Sequence, residues 1–529
     1  VGGAAVIRRD GVALTASVLT HPRRAALARR LADHDAVFTL TPDPDPDGSP
    51  TALRTALAAW SSVPPEATHH LVVQDDMILA DGFLDRAVRA AAALPDAALS
   101  FFTLWDSRNA GAVRLGALAG VRWAAAAGEY APSAAVLLPR RVAAGFTAFA
   151  AGRAGAWPDD ILLHQYLRRA GTARFVAVPN AVEHADPASL AGNRWRGPRR
   201  SACWLPADPA AKSEESRIEG MSALPFIKYG KALCSVRVDA TRWHDVPTER
   251  YLAGLGVAVP AGPPGIEREV WLTGFALGAA ARADRSAVVT GRAVPDSGVV
   301  AAALASIGPG GLCHHRSAED IAELRAPLAA IARRGLDAGA EHRPRRAPAR
   351  TGVTVVGDAP LREFVARGLR DHGRGPGGPA VVDLTSAPSG TITLTRPGRA
   401  PEVIGVGDLY GPGCPPASPF GAVVFAAAMG VPHTVTADPG ALVRPLHTED
   451  LVTALNRILG GDPAVPDPPA LRLDTVVRAV REAVRPVPVT FASGASDAGT
   501  PPDGLSFGLR TYAQWLAYEY SPAFPDATP

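Results

Sequence analysis

Residues 70–76 read HLVVQDD, a short apolar run that closes on a glutamine and two acids. Its length and its polar stop predict a buried strand over His70–Gln74 that delivers Asp75 and Asp76 to its carboxyl end. Working outward, Ala13–Leu19 (ALTASVL) reads as a second buried strand. Residues 23–34 (RRAALARRLADH) place Leu27 and Leu31 at helical spacing. Residues 36–40 (AVFTL) predict another strand, 41–50 (TPDPDPDGSP) a loop rich in turn formers, and 51–60 a helix. This βαβαβ order predicts an α/β unit with parallel strands, in which ligands bind beyond the carboxyl ends of the strands.

The chain has 529 residues, room for two to four domains at roughly 100–200 residues each. Hydrophobic residues make up 47% and charged residues 20%, enough to bury a large core and to exclude global disorder. A formal charge of +3 leaves no electrostatic footprint for nucleic acid and no polybasic membrane patch. No charged-then-apolar leader and no apolar run of about 18 residues occurs, so a cytoplasmic protein without a membrane span is expected. Lysine occurs only at 212, 228 and 231, against 51 arginines, and none of the three stands in a GxxxxGK[ST] context; a phosphate-cradling P-loop is therefore excluded. Cys203, Cys234, Cys313 and Cys414 have neither zinc-knuckle nor disulfide-scaffold spacing.

Three acidic or histidine-bearing pieces stand out in the first 200 residues. The first is Gln74-Asp75-Asp76, where adjacent carboxylates repel unless a cation or hydrogen bonds offset them. A divalent metal bridging a diphosphate would do so; a helix cap by Asp76 or Asp81 is the alternative. The second is Trp157-Pro158-Asp159-Asp160, which opens the amphipathic run ILLHQYLRRAG. Its acids fit either the first turn of a helix or a general base near an acceptor hydroxyl. The third is Val176–His184 (VAVPNAVEH), a strand ending in a histidine that is either a satisfied structural residue or a metal ligand.

Taken in order, these pieces resemble a GT-A glycosyltransferase over roughly residues 12–200. ASVLTHPRR is similar to that family's first strand and turn, QDD to its DxD-type motif, EYAPSAAVLLPRR to the strand and helix behind the acceptor, WPDDILL to its acceptor motif, and VEHADPASLAGN to its late histidine loop. The resemblance implies donor binding by Thr20, Arg54, Gln74, Asp75 and Asp76. It implies Asp160 as catalytic base with Asp159 at the acceptor, and Asp76 with His184 on Mn²⁺ or Mg²⁺. Gln74 departs from a strict DxD by replacing its first acid. The expected reaction is transfer of a sugar from a nucleotide-sugar donor to an acceptor hydroxyl with inversion, in the manner of a hexosyltransferase.

The C-terminal part begins after a Pro- and Arg-rich linker at 342–351. VTVVG (353–357), VIGVGDLYGPG (403–413), RPLHTEDL (444–451) and DGLSFGLRTYAQWL (503–516) together resemble the extended short-chain dehydrogenase and epimerase family over about 351–520. That family's YxxxK is absent, and after Gly357 the glycine loop reads Asp-Ala-Pro-Leu-Arg-Glu. NAD is therefore not expected, and a shortened, non-catalytic, Rossmann-like unit that packs, dimerises or shapes the acceptor site is. Three segments result: 1–205 GT-A-like, 206–350 connecting and largely helical, and 351–529 epimerase-like. Cys313-His314-His315 is read as a loop cluster rather than a metal site. The competing readings are an NAD-dependent nucleotide-sugar epimerase or dehydratase, and a non-enzymatic scaffold.

Overall fold

The computed structural model describes residues 5–48, 51–151, 158–187, 197–208, 213–239, 242–257, 259, 262–342, 350–462, 466–493, 498–502 and 504–520. The linker expected at 342–351 lies almost wholly outside them, as do Trp157 and most of the loop that follows His184. Two compact units form, one of residues 1–248 and 261–342, the other of 249–260 and 343–529. Both are α/β in class, as the sequence predicts.

The first unit is built on β1 (Ile7–Arg9), β2 (Val12–Thr20), β3 (Phe38–Pro42) and β4 (His69–Gln74). Helix α1 (Ala25–Ala32) follows β2, and α2 (Ala52–Ser61) follows β3. β3 and β4 both pair with β2 in parallel, so the expected βαβαβ run is present. Every residue of β2 is buried, which explains its near-continuous apolar reading. Leu14 and Val18 are fully buried, and each such side chain stabilises the fold by about 1.5–3 kcal/mol relative to exposure.

Beyond β4 the sheet becomes mixed. β5 (Met77–Leu79) leaves it, then α3 (Phe83–Ala93), β6 (Ala98–Ser100), α4 (Arg108–Ala119), β7 (Trp123–Ala125), β8 (Ala135–Pro139), α5 (Arg140–Ala150), α6 (Asp159–Arg169), β9 (Arg174–Ala177) and β10 (Val182–His184) follow. The order is β1-β2-β4-β8-β6-β9-β7, continued by Arg217–Glu219 and Val288–Thr290. β8 is antiparallel to both β4 and β6. The sheet therefore holds parallel pairing at its β2–β3–β4 end and mixed pairing past β8. Trp123 is fully buried in this sheet, edge-on to Phe101 at 5.5 Å between ring centroids.

The stretch 206–350 does not stand apart as a connector. Most of it packs with the first unit, and residues 249–260 go with the second. Nor is it helical throughout: Ala223–Lys228, Lys231–Arg237 and Trp243–Pro247 form a three-stranded antiparallel sheet. Helices Ile266–Ala283 and Ala318–Glu341 cross closely, as their small residues allow. A Cβ on Gly278 would stand 2.1 Å from the Leu336 carbonyl oxygen, so only glycine fits there.

The second unit has a five-stranded sheet in the order 374–376, 350–356, 380–383, 391–395, 402–405. Its first three strands are parallel and the last two antiparallel. Helices Pro419–Met429, Thr448–Leu459 and Leu505–Tyr518 belong to the same unit. Arg250 on the returning segment pairs with Glu449 and, at 3.8 Å, with Asp371. Among the described residues, no helix is long and apolar enough to cross a membrane.

Candidate functional site

The carboxyl ends of β2, β3 and β4 open into one cavity of about 430 Å³. Thr20, Arg54, Gln74, Asp75, Asp76, Asp159, Asp160 and His184 all line it. These eight residues come from separate stretches of chain, and each reaches the cavity for a local reason. β4 ends at Gln74, whose N–H donates to the Ala134 carbonyl at 2.8 Å. Asp75 and Asp76 then turn into the strand β5, so neither caps a helix. α3 begins instead behind Gly82, at φ 74°, without a side-chain cap. β10 pairs antiparallel with β5 and sets His184 opposite Met77. That register brings His184 Nε2 to 3.4 Å from Asp76 Oδ2. Asp159 and Asp160 do open a helix, α6, where acids suit the positive end of the helix dipole. The Ala131 N–H donates to the Asp160 carbonyl at 3.0 Å and ties the 130–134 loop to the same helix end. For this motif the first-turn and cavity-lining placements hold together, with Pro158 rather than an acid as the N-cap.

The acids are unequal. Burial, and then the neighbouring Asp160 charge, push the Asp159 carboxyl well above the usual range, against a hydrogen bond from Ser133. An apolar recess lined by Leu19, Trp60, Phe146 and Leu163 lies beside Asp159 and accounts for the poor solvation. Asp160 Oδ1 accepts from the Ile161 N–H at 2.8 Å. Burial and the Asp76 charge push Asp75 up to about 6. Burial pulls His184 down to about 4, so its ring is neutral near pH 7.

Arg24 supplies what the sequence reading sought from a metal. Its Nη1 donates to Asp76 Oδ2 at 2.9 Å and to Asp75 Oδ1 at 3.2 Å, offsetting their repulsion. His184 Nδ1 accepts from the Asp186 N–H at 2.8 Å. A neutral imidazole that accepts at Nδ1 carries its proton on Nε2, the atom facing Asp76. A metal-ligating histidine normally does the reverse, donating from its far nitrogen. As arranged, Asp76 and His184 therefore do not fit a divalent cation. One carboxylate oxygen of each acid is taken by Arg24, and the histidine presents a proton.

Arg54, on the cavity wall, also bonds within the chain. Its Nε and Nη2 make a fork on Asp43 at 2.7 and 2.9 Å, which lowers the Asp43 pKa. His21 Nε2 lies 3.1 Å from the Pro46 carbonyl. Together they tie down the loop after β3 along one wall of the cavity. Sequence reasoning passed over Arg24, His21, Asp43 and Ser133. The basic turn HPRR and the first acid after β3 both sit just past predicted strand ends, where that rule could have found them.

Outside this cavity, the described residues hold one group of three metal-type ligands, Asp106, Cys313 and His314. His314 Nε2 lies 2.9 Å from Asp106 Oδ2, so the 313–315 cluster has the distant partner that the sequence did not reveal. Burial raises the Asp106 pKa, but Lys228 and His314 outweigh it and hold the acid at about 2. The Lys228 ammonium is 4.0 Å from the same oxygen, and the Cys313 thiol donates to the Gly310 carbonyl. This is a buried ion network centred on the Asp106 carboxylate, with Lys228 as a cation beside it. In the second unit, Asp358 stands as N-cap of helix Ala359–Asp371, an acid where a bound pyrophosphate would need N–H groups. No family model matches the chain, and no characterised protein matches it in sequence.

Proposed function

We propose that the first unit is a glycosyltransferase that moves a sugar from a nucleotide-diphosphate donor to an acceptor hydroxyl, in a cytoplasmic setting. One observation carries this reading. The eight residues anticipated from five separate stretches of chain converge on a single cavity of about 430 Å³ beyond parallel strand ends. That volume falls within the range of small-molecule sites.

In this reading the nucleotide lies along β2 and the loop held by Arg54, with its diphosphate toward Asp75 and Asp76. The acceptor hydroxyl lies at the mouth of α6. Asp160 takes the hydroxyl proton as its oxygen attacks the anomeric carbon, and the bond from that carbon to the diphosphate oxygen breaks. The nucleoside diphosphate leaves with the bonding pair, and the anomeric centre inverts. Asp159, poorly solvated beside Asp160, keeps a proton more readily and so leaves its neighbour ionised as the base. The second unit has a structural role in this scheme.

The test is release of free nucleoside diphosphate from UDP-, GDP-, dTDP- and CDP-sugars by the full chain. Release from one donor class, abolished by Asp160→Asn, supports the reading. No binding or turnover of any nucleotide sugar overturns it in favour of a scaffold.

A further inference from the structure

We propose that the donor diphosphate is bound here without a divalent metal ion, with the Arg24 guanidinium as the cation at the Asp75–Asp76 pair. The inference rests on the glycosyltransferase reading above and departs from the metal which that resemblance implies. Three observations carry it. First, the place a metal would take beside both acids is taken by Arg24, whose side chain is itself only 14% exposed and bonded to each acid. Second, His184 turns a protonated Nε2 toward Asp76, because its other nitrogen accepts from the Asp186 backbone. A cation would meet that proton rather than a lone pair. Third, the residue before the pair is Gln74, an amide without the charge a third acid would add.

What remains suits a diphosphate. His21, Arg23, Arg54 and Arg199 line the same cavity as Arg24. A guanidinium presents donors in a fixed fork that matches phosphate oxygens, and it needs no ion between protein and ligand. Asp76 Oδ1 is buried and has no hydrogen-bond partner, which leaves it as acceptor for a hydroxyl of the donor. Asp76 thus becomes a hydroxyl acceptor rather than a metal ligand.

The experiment follows the melting temperature of the full chain with UDP, GDP, dTDP and CDP, each in EDTA and in Mn²⁺. One nucleotide is expected to raise it equally in both. In Arg24→Met the affinity for that nucleotide should fall at least about tenfold, since hydrogen bonds to charged groups are among the stronger ones. Arg24→Lys keeps the charge without the fork and should fall between the two. It also serves if the methionine variant does not fold, which its melting without nucleotide will reveal. A shift seen only with Mn²⁺ overturns the inference and leaves the glycosyltransferase reading standing. Undiminished affinity in both variants overturns the assignment to Arg24. No shift with any nucleotide under either condition overturns the glycosyltransferase reading and this inference with it.

Discussion

Parallel strands end differently in the two units. In the first, β2 and β4 end in a space lined by Arg24, Asp75, Asp76 and His184, with Asp159 and Asp160 also on its wall. In the second, strands Arg350–Val356 and Ala380–Asp383 end against each other. A Cβ on Gly357 would lie 2.9 Å from the Leu384 Cβ, and Asp358 caps the next helix. Elsewhere in that unit His447 is held by its neighbours. His447 Nε2 lies 3.2 Å from Thr511 Oγ1, its Nδ1 accepts from the Glu449 N–H, and its ring packs on Tyr410. At its strand ends the first unit holds charge beside open volume.

The largest test of this contrast pits Asp160 against Tyr410. General base catalysis contributes about 10²–10⁴-fold, so Asp160→Asn should lower the transfer rate at least about a hundredfold. Tyr410→Phe, in the second unit, should leave it within roughly threefold, as a change away from the reacting atoms of the proposed site. Equal losses would erase the distinction between the units.

The next test uses the unequal acids. Asp159 takes up its proton first and leaves Asp160 ionised, so kcat/KM should hold nearly steady as pH drops through the raised Asp159 pKa. Asp159→Asn keeps that position neutral at every pH and should leave the profile there unchanged. An acid limb at that pH, lost in Asp159→Asn, would show that the proton goes to the base instead.

Arg54→Met probes the wall of the cavity. Losing the fork on Asp43 frees the loop after β3, so nucleotide affinity should weaken roughly three- to tenfold. Turnover at saturation should change little. A matching fall in kcat would place Arg54 in the chemistry instead.

The smallest effect concerns stability and spans both units. Burial lowers the pKa of His70 and His184 in the first unit and of His447 in the second to about 4. The unfolded chain binds these protons near pH 6.5 and the folded chain does not. The melting temperature should therefore decline as pH falls from about 6.5 toward 4. His447→Gln should flatten the decline for the second unit alone, measured by calorimetry.

The sequence by itself determined much of the local structure. The all-buried β2, the strand His69–Gln74 and the helices over 266–283 and 318–341 follow from apolar spacing, which depends only on near neighbours. The rule that ligands lie beyond strand ends also points to Asp75, Asp76 and His184, while Asp160 is singled out by its place at a helix start and by the glycosyltransferase resemblance; all four line the cavity. Tertiary structure alone decided which charges meet. Arg24 lies 51 residues from Asp75 and His314 lies 208 from Asp106, and no periodicity encodes such pairings. The same holds for the partition of 206–342 and for the three-stranded sheet within it, where long-range packing sets the partners. The His184 tautomer rests on one backbone N–H two residues away, whereas its place 3.4 Å from Asp76 comes from the pairing of β10 with β5.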